Sequence, residues 1–167
     1  MRTAFIGDVH GWSDRLDRLL AALTDDTYVI FMGDLIDRGP DSPGVVARAR
    51  ALCEAGRGEC LLGNHEYAVV RGVGLPDLGI EPHHRLFKSW YLRYGGHVTA
   101  RSYGVNGASQ VALRETMGDD LRWLSKRPYF LQGEAGGRRY VAVHAGLSPE
   151  PLDVQLDPLR EPNAGWR

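Results

Sequence analysis

An excess of charge of either sign is missing from this sequence. It carries 20 Lys and Arg against 21 Asp and Glu, a formal net charge of -1. A near-neutral chain has no broad electrostatic footprint for nucleic acid or an anionic membrane, so an anion must be held by a local site. Cysteine is scarce as well: Cys53 and Cys60 are the two present, and they do not form a zinc-type pair. Cys60 lies in an apolar, strand-like run and Cys53 on an expected helix. Two buried thiols are expected, with a disulfide across the helix-to-strand connection as the alternative. No apolar run approaches the roughly 20 residues that cross a bilayer. A polar pattern already starts at Asp8, which a cleaved signal peptide would remove, so a cytoplasmic protein is expected. Internal repeats, low-complexity tracts and linkers are absent too. With 167 residues, 43% of them apolar, the expectation is a single domain over residues 1–167.

The first half reads as alternating strands and helices. Thr3 to Ile6 is a short apolar run. Ser13 is placed to cap a helix whose Leu16, Leu19, Leu20 and Leu23 recur at helical spacing. Tyr28 to Met32 is continuously apolar, as in a strand buried on both faces. Ser42-Pro43 opens a second helix, with Val45, Val46, Ala49 and Leu52, which stops at Gly56. Glu59 to Leu62 is a third strand. This βαβαβ order implies a parallel sheet. Farther on, Pro82 to Tyr94 and Leu113 to Lys126 are expected helices. Phe130-Leu131 and Tyr140 to Val143 form an expected hairpin around the turn at 133–137. The last 20 residues show no clear element.

Each confident strand runs into a polar cluster. These are Gly7-Asp8-Val9-His10-Gly11, Gly33-Asp34-Leu35-Ile36-Asp37-Arg38-Gly39, Gly63-Asn64-His65-Glu66 and His144-Ala145-Gly146. Sites in open α/β sheets form at the carboxyl ends of strands, so the four clusters should converge. Any one of them also reads as an ordinary turn, where Asp caps helices and Gly supplies positive φ. Together, Asp8, His10, Asp34, Asn64 and His144 offer carboxylate, imidazole and amide oxygen, a mixture suited to Mn²⁺, Fe²⁺ or Zn²⁺. A carboxylate such as Asp34 can bridge two ions about 3.5–4 Å apart, the spacing used for displacement at phosphorus. His83, His84 and His97 read as surface or structural residues, and Arg138-Arg139 as flanks of the hairpin turn. Trp12 is expected to pack beside the first helix or to line the cleft.

The spaced motifs GD-x-HG, GD-x-x-DRG, GNHE and HAG resemble those of the phosphoprotein-phosphatase branch of the calcineurin-like metallophosphoesterases. The segment Gly95-Gly96-His97-Val98-Thr99-Ala100-Arg101-Ser102-Tyr103-Gly104 is similar to one found in bacterial members, including serine/threonine phosphatases and symmetrical diadenosine tetraphosphatases. The resemblance implies a two-sheet α/β sandwich flanked by helices. It implies Asp8, His10 and Asp34 around one ion and Asp34, Asn64 and His144 around the other, Mn²⁺ first among the candidates. An attacking hydroxide would form between the ions. Arg38 would grip phosphate oxygens, with Asn64 also beside the substrate. His65 would protonate the leaving oxygen while Asp37 orients the imidazole.

The implied activity is metal-dependent hydrolysis of phosphoric esters in a phosphoprotein or small phosphomonoester. Cleavage of a dinucleoside polyphosphate such as diadenosine tetraphosphate is the alternative, and an inactive phosphate-binding module is the reading from another class. In the family a later histidine joins the second ion, whereas no histidine follows His144 here. A weak second site, missing late strands and self-association at exposed sheet edges are therefore expected. Arg167, preceded by Trp166, falls roughly where the family places a second phosphate-binding arginine.

Overall fold

The computed structural model describes residues 2–160. Two sheets form. Strands β1 (Arg2–Ile6), β2 (Thr27–Phe31) and β3 (Gly58–Cys60) pair in parallel in the order β1-β2-β3. Strands β4 (Phe130–Ala135) and β5 (Arg138–Val143) make an antiparallel hairpin. The central strand is β2, and Val29, Ile30 and Phe31 are buried as their unbroken apolar run requires. The register places Ile6 opposite Phe31, and Phe31 opposite Cys60. All three parallel strands thus end at one level, and the polar clusters leave from one edge. The hairpin meets the first sheet where the Tyr140 ring stands edge-on to Phe5, with centroids 5.2 Å apart.

Eight α-helices surround the sheets among the described residues. The first, α1 (Ser13–Ala22), buries Leu16 but leaves Leu19 facing solvent, and Ser13 is its first residue rather than its cap. In α2 (Ser42–Glu54) the cap is likewise one residue earlier than expected. The Asp41 carboxylate accepts from the Gly44 N–H at 2.9 Å, which frees the Ser42 hydroxyl for other use. No sequence signal announces α3 (Asn64–Val73), which begins inside GNHE. It is buried on nearly all sides, so it has no polar stripe from which a period could be read.

The helix expected over Pro82 to Tyr94 starts at His84 as α4 (His84–Ser89), capped by the His83 ring. It widens into a π-helical turn at Trp90–Tyr94, and α5 (Gly96–Ser102) follows. The helix expected over Leu113 to Lys126 is two, α6 (Gln110–Thr116) and α7 (Gly118–Ser125), which together bury Leu113, Leu121 and Leu124. The tail carries α8 (Leu152–Arg160), which internal Pro158 had hidden. Cys53 and Cys60 are free thiols, with Cys60 buried and Cys53 half-buried. No helix among the described residues is long and apolar enough to cross a membrane.

Candidate active site

Backbone strain marks the place where the strand ends meet. Among the described residues, the non-glycine positions with positive φ are Asp8 (52°), His10 (46°), Asp34 (55°), Asp37 (73°) and Arg38 (67°). All five lie in the loops after β1 and β2. Such conformations cost of order 1–3 kcal/mol each and persist where the surroundings over-determine them. Here the two loops are laced together by His10 N–H to Asp34 O (2.9 Å), Gly11 N–H to Leu35 O (2.7 Å) and Gly39 N–H to His10 O (2.9 Å). The third loop presses closely on the second. A Cβ on Gly33, at φ 94°, would stand 2.7 Å from the Gly63 backbone.

Glu66, fully buried, anchors this arrangement from the first turn of α3. One carboxylate oxygen accepts from the N–H groups of Asp34 (2.8 Å) and Gly63 (3.1 Å). The other accepts from Leu35 (2.9 Å) and Ile36 (3.2 Å). Burial and the charge of nearby Asp34 push its carboxyl up to about 7, against the pull of the backbone donors. At pH 8, Glu66→Gln should cost about 3 kcal/mol of stability, because amide N–H groups would then face backbone N–H groups. Urea denaturation measures this, and a loss below about 0.5 kcal/mol would contradict the anchoring role.

Among the described residues, two groups of side chains could hold a metal ion: Asp8, Asp34 and His144, and His10, Asp34 and His65. Asp34 belongs to both, with Oδ1 3.4 Å from His144 Nε2 and Oδ2 3.9 Å from His10 Nε2. The histidines are oriented for ligation. His10 Nδ1 lies 2.8 Å from Ile36 O, and His144 Nδ1 lies 2.8 Å from Met32 O. A carbonyl only accepts, so Nδ1 carries the proton and Nε2 presents a lone pair. Asn64 Oδ1 stands 2.8 Å from His144 Nε2. In the neutral ring these are two lone pairs face to face, an arrangement suited to a shared cation. The contact is a hydrogen bond only if the amide is turned over or the ring takes a second proton. The guanidinium of Arg38 donates to His10 Nε2 (2.8 Å) and His65 Nε2 (3.1 Å), so a cation already bridges part of the cluster. The donor set therefore fits divalent metal.

This grouping differs from the expected one. Asp8 groups with Asp34 and His144, while the His10 ring lies against the Ile36 carbonyl and Arg38. Asn64 lies beside His144. Arg167 lies outside the described residues.

His65, nearly buried, places Nδ1 2.7 Å from Asp37 Oδ2. Burial opposes charge on this ring. The hydrogen bond to Asp37 and the charges of Asp34, Asp37 and Glu66 outweigh it and raise its pKa. Asp37 is itself fully buried and also accepts from Trp90 Nε1 (2.9 Å) and Thr99 Oγ1 (2.6 Å). The motifs assign no site role to Glu66, Trp90 or Thr99, and Ser42 was expected only as a helix cap. For Thr99 a signal existed, since it lies in the segment 95–104 that resembles the bacterial members. His84 and His97 are engaged with Gln110 and the Tyr91 carbonyl, away from the cluster. Trp12 precedes α1 and stacks under Arg15, whose guanidinium is 4.2 Å from the ring centre.

Residues 1–164 match the family model of the calcineurin-like phosphoesterases. The chain belongs to that family. Members use divalent metals to hydrolyse phosphoric esters, and the two groups sharing Asp34 are its candidate metal-binding residues. A symmetrical bis(5'-nucleosyl)-tetraphosphatase of Acidovorax sp. (strain JS42) is 30% identical over 150 residues, which are 87% of this chain and 44% of that protein. One from Ralstonia nicotianae is 46% identical over 71 residues, 41% of this chain and 25% of that protein. The chain thus spans less than half the length of either relative. The crystal structure of a candidate diadenosine tetraphosphatase matches with a TM-score of 0.53 at 23% identity. It covers 91% of this chain and 54% of that one, a likeness of fold.

Proposed function

We propose that this phosphoesterase hydrolyses phosphomonoesters, phosphoproteins included, with Mn²⁺ as its preferred metal. The observation that carries the reading is the His65–Asp37 pair beside the shared Asp34 carboxylate. Asp8, His10, Asp34, Asn64 and His144 would hold the metal, which when bound supplies positive charge against phosphate oxygens and acidifies water. Arg38 binds two phosphate oxygens with its planar fork and leaves His65 Nε2 to do so. Asp37 keeps the imidazole proton on Nδ1, so Nε2 faces the reacting centre. Protonated there, it delivers its proton to the departing oxygen. An alkoxide needs that proton most, which is why the pair favours a phosphate ester. The domain that does this would comprise residues 1–167.

A second reading, cleavage of a dinucleoside tetraphosphate, is favoured by the relatives, which are named symmetrical bis(5'-nucleosyl)-tetraphosphatases. Hydrolysis of p-nitrophenyl phosphate should stop with chelator and return best with Mn²⁺. Parallel assays on a phosphoserine peptide and diadenosine tetraphosphate then decide the substrate. The phosphomonoester reading expects higher kcat/KM on the peptide, and the reverse order would establish the second reading. Phosphate binding without turnover of any substrate would make the chain a binding module.

A further inference from the structure

The segment 95–104 takes no part in the chemistry above, yet it ends at the most deeply buried part of the site. Asp37, Ser42, Trp90 and Thr99 are each fully buried. Thr99 Oγ1 donates its single proton to Asp37 Oδ1 (2.6 Å). It must then act as acceptor in its other contacts, the Asp37 N–H at 2.9 Å and the Ser42 hydroxyl at 2.9 Å. Ser42 Oγ in turn accepts from the same Asp37 N–H at 3.2 Å. The second carboxylate oxygen takes Trp90 Nε1 at 2.9 Å and His65 Nδ1 at 2.7 Å. Thr99 therefore grips Asp37 at both its backbone and its carboxylate, and Trp90 closes the remaining side.

The glycine pair makes this possible. A Cβ on Gly96 would overlap the Trp90 indole, so only glycine lets α5 lie on that ring. Gly95, at φ 91°, brings the chain against Arg38, where a Cβ would stand 3.1 Å from the Arg38 backbone N. Asp37 and Arg38 both have positive φ. One segment thus braces the two strained residues that serve His65 and the phosphate.

We propose that Thr99, seconded by Trp90, is a positioning residue for proton donation. It fixes the Asp37 carboxylate so that His65 keeps Nδ1–H occupied and Nε2 turned to the leaving oxygen. This rests on the reading of His65 as proton donor, and a misplacement near 1 Å in such a pair costs on the order of 10²-fold. Thr99→Val removes the hydroxyl at similar size, and Thr99→Ser retains it. On an alkyl phosphate, Thr99→Val should lower kcat by about 10–100-fold with KM nearly unchanged. On p-nitrophenyl phosphate, whose leaving group needs little protonation, the loss should stay within about threefold. Thr99→Ser should stay close to the wild type on both.

Proton NMR gives a readout apart from activity. The protected His65 Nδ1–H signal, assigned by its absence in His65→Asn, should persist in wild type and Thr99→Ser and exchange faster in Thr99→Val. If Thr99→Val does not fold, Trp90→Phe removes the other donor, keeps an aromatic ring and takes the same test. Equal proportional losses on the two substrates, or an unchanged imidazole signal, would overturn the positioning role while leaving the proposed function standing. Wild-type protein that hydrolyses neither substrate with metal present would overturn the proposed function instead.

Discussion

Asp34→Asn should abolish metal-dependent hydrolysis, with kcat falling by roughly 10³-fold or more as both ligand groups lose their shared charge. Oδ1 of Asp34 faces His144, and Oδ2 faces His10 and His65. Asparagine keeps the size of the side chain and one carbonyl oxygen but offers no charge. It also tolerates the left-handed backbone at this position, where φ is 55°. The strained loop should therefore survive, held by Glu66 through the Asp34 N–H as before. Thermal melting without added metal should stay near that of the wild type, while bound Mn²⁺ measured by elemental analysis falls. Retention of both metal and turnover would show that Asp34 is not the shared ligand.

His65→Asn should lower kcat on an alkyl phosphate by roughly 10²–10⁴-fold, the usual worth of a positioned proton donor. The loss should shrink with p-nitrophenyl phosphate. If an anhydride is the natural substrate, it should shrink there too, because a nucleotide phosphate leaves without help more readily than an alkoxide. Metal content decides between two roles for this ring. His65 Nε2 lies 3.8 Å from Asp34 Oδ2, within the group that also contains His10. As proton donor, its loss leaves the metal in place. A drop in bound metal in His65→Asn would make it a ligand and remove it from the proton-transfer step.

Much of this arrangement was legible in the sequence, for definable reasons. β1 and β2 are apolar runs that end in glycine and aspartate, and α2 carries apolar residues at helical spacing behind a proline. Those signals are local. The α3 helix was not legible because Ala68, Val69, Val70 and Val73 are all buried, and a helix covered on nearly every side shows little polar face. The break between α6 and α7 at Met117-Gly118 and the π-helical turn at Trp90–Tyr94 interrupt runs whose composition is helical throughout.

At the site, the motifs name residues that the fold brings together, but not how their rings are turned. Which ligands share a group depends on ring rotations set by the Ile36 and Met32 carbonyls, and carbonyls have no sequence signature. Glu66 serves N–H groups some 30 positions away, and Thr99 serves Asp37 across 62. Such partnerships exist only once the chain is folded.

Anomalous scattering from crystals grown in Mn²⁺ tests the central claim most directly. A manganese peak should lie within ligand distance of the Asp34 carboxylate and the Nε2 atom of His144 or His10. Where His10 is engaged, the Arg38 guanidinium should have left that nitrogen, because one lone pair cannot serve both. A saturated crystal with no manganese at Asp34, or full hydrolysis by protein verified as metal-free, would contradict the assignment of a metal-dependent phosphoesterase centre to these residues.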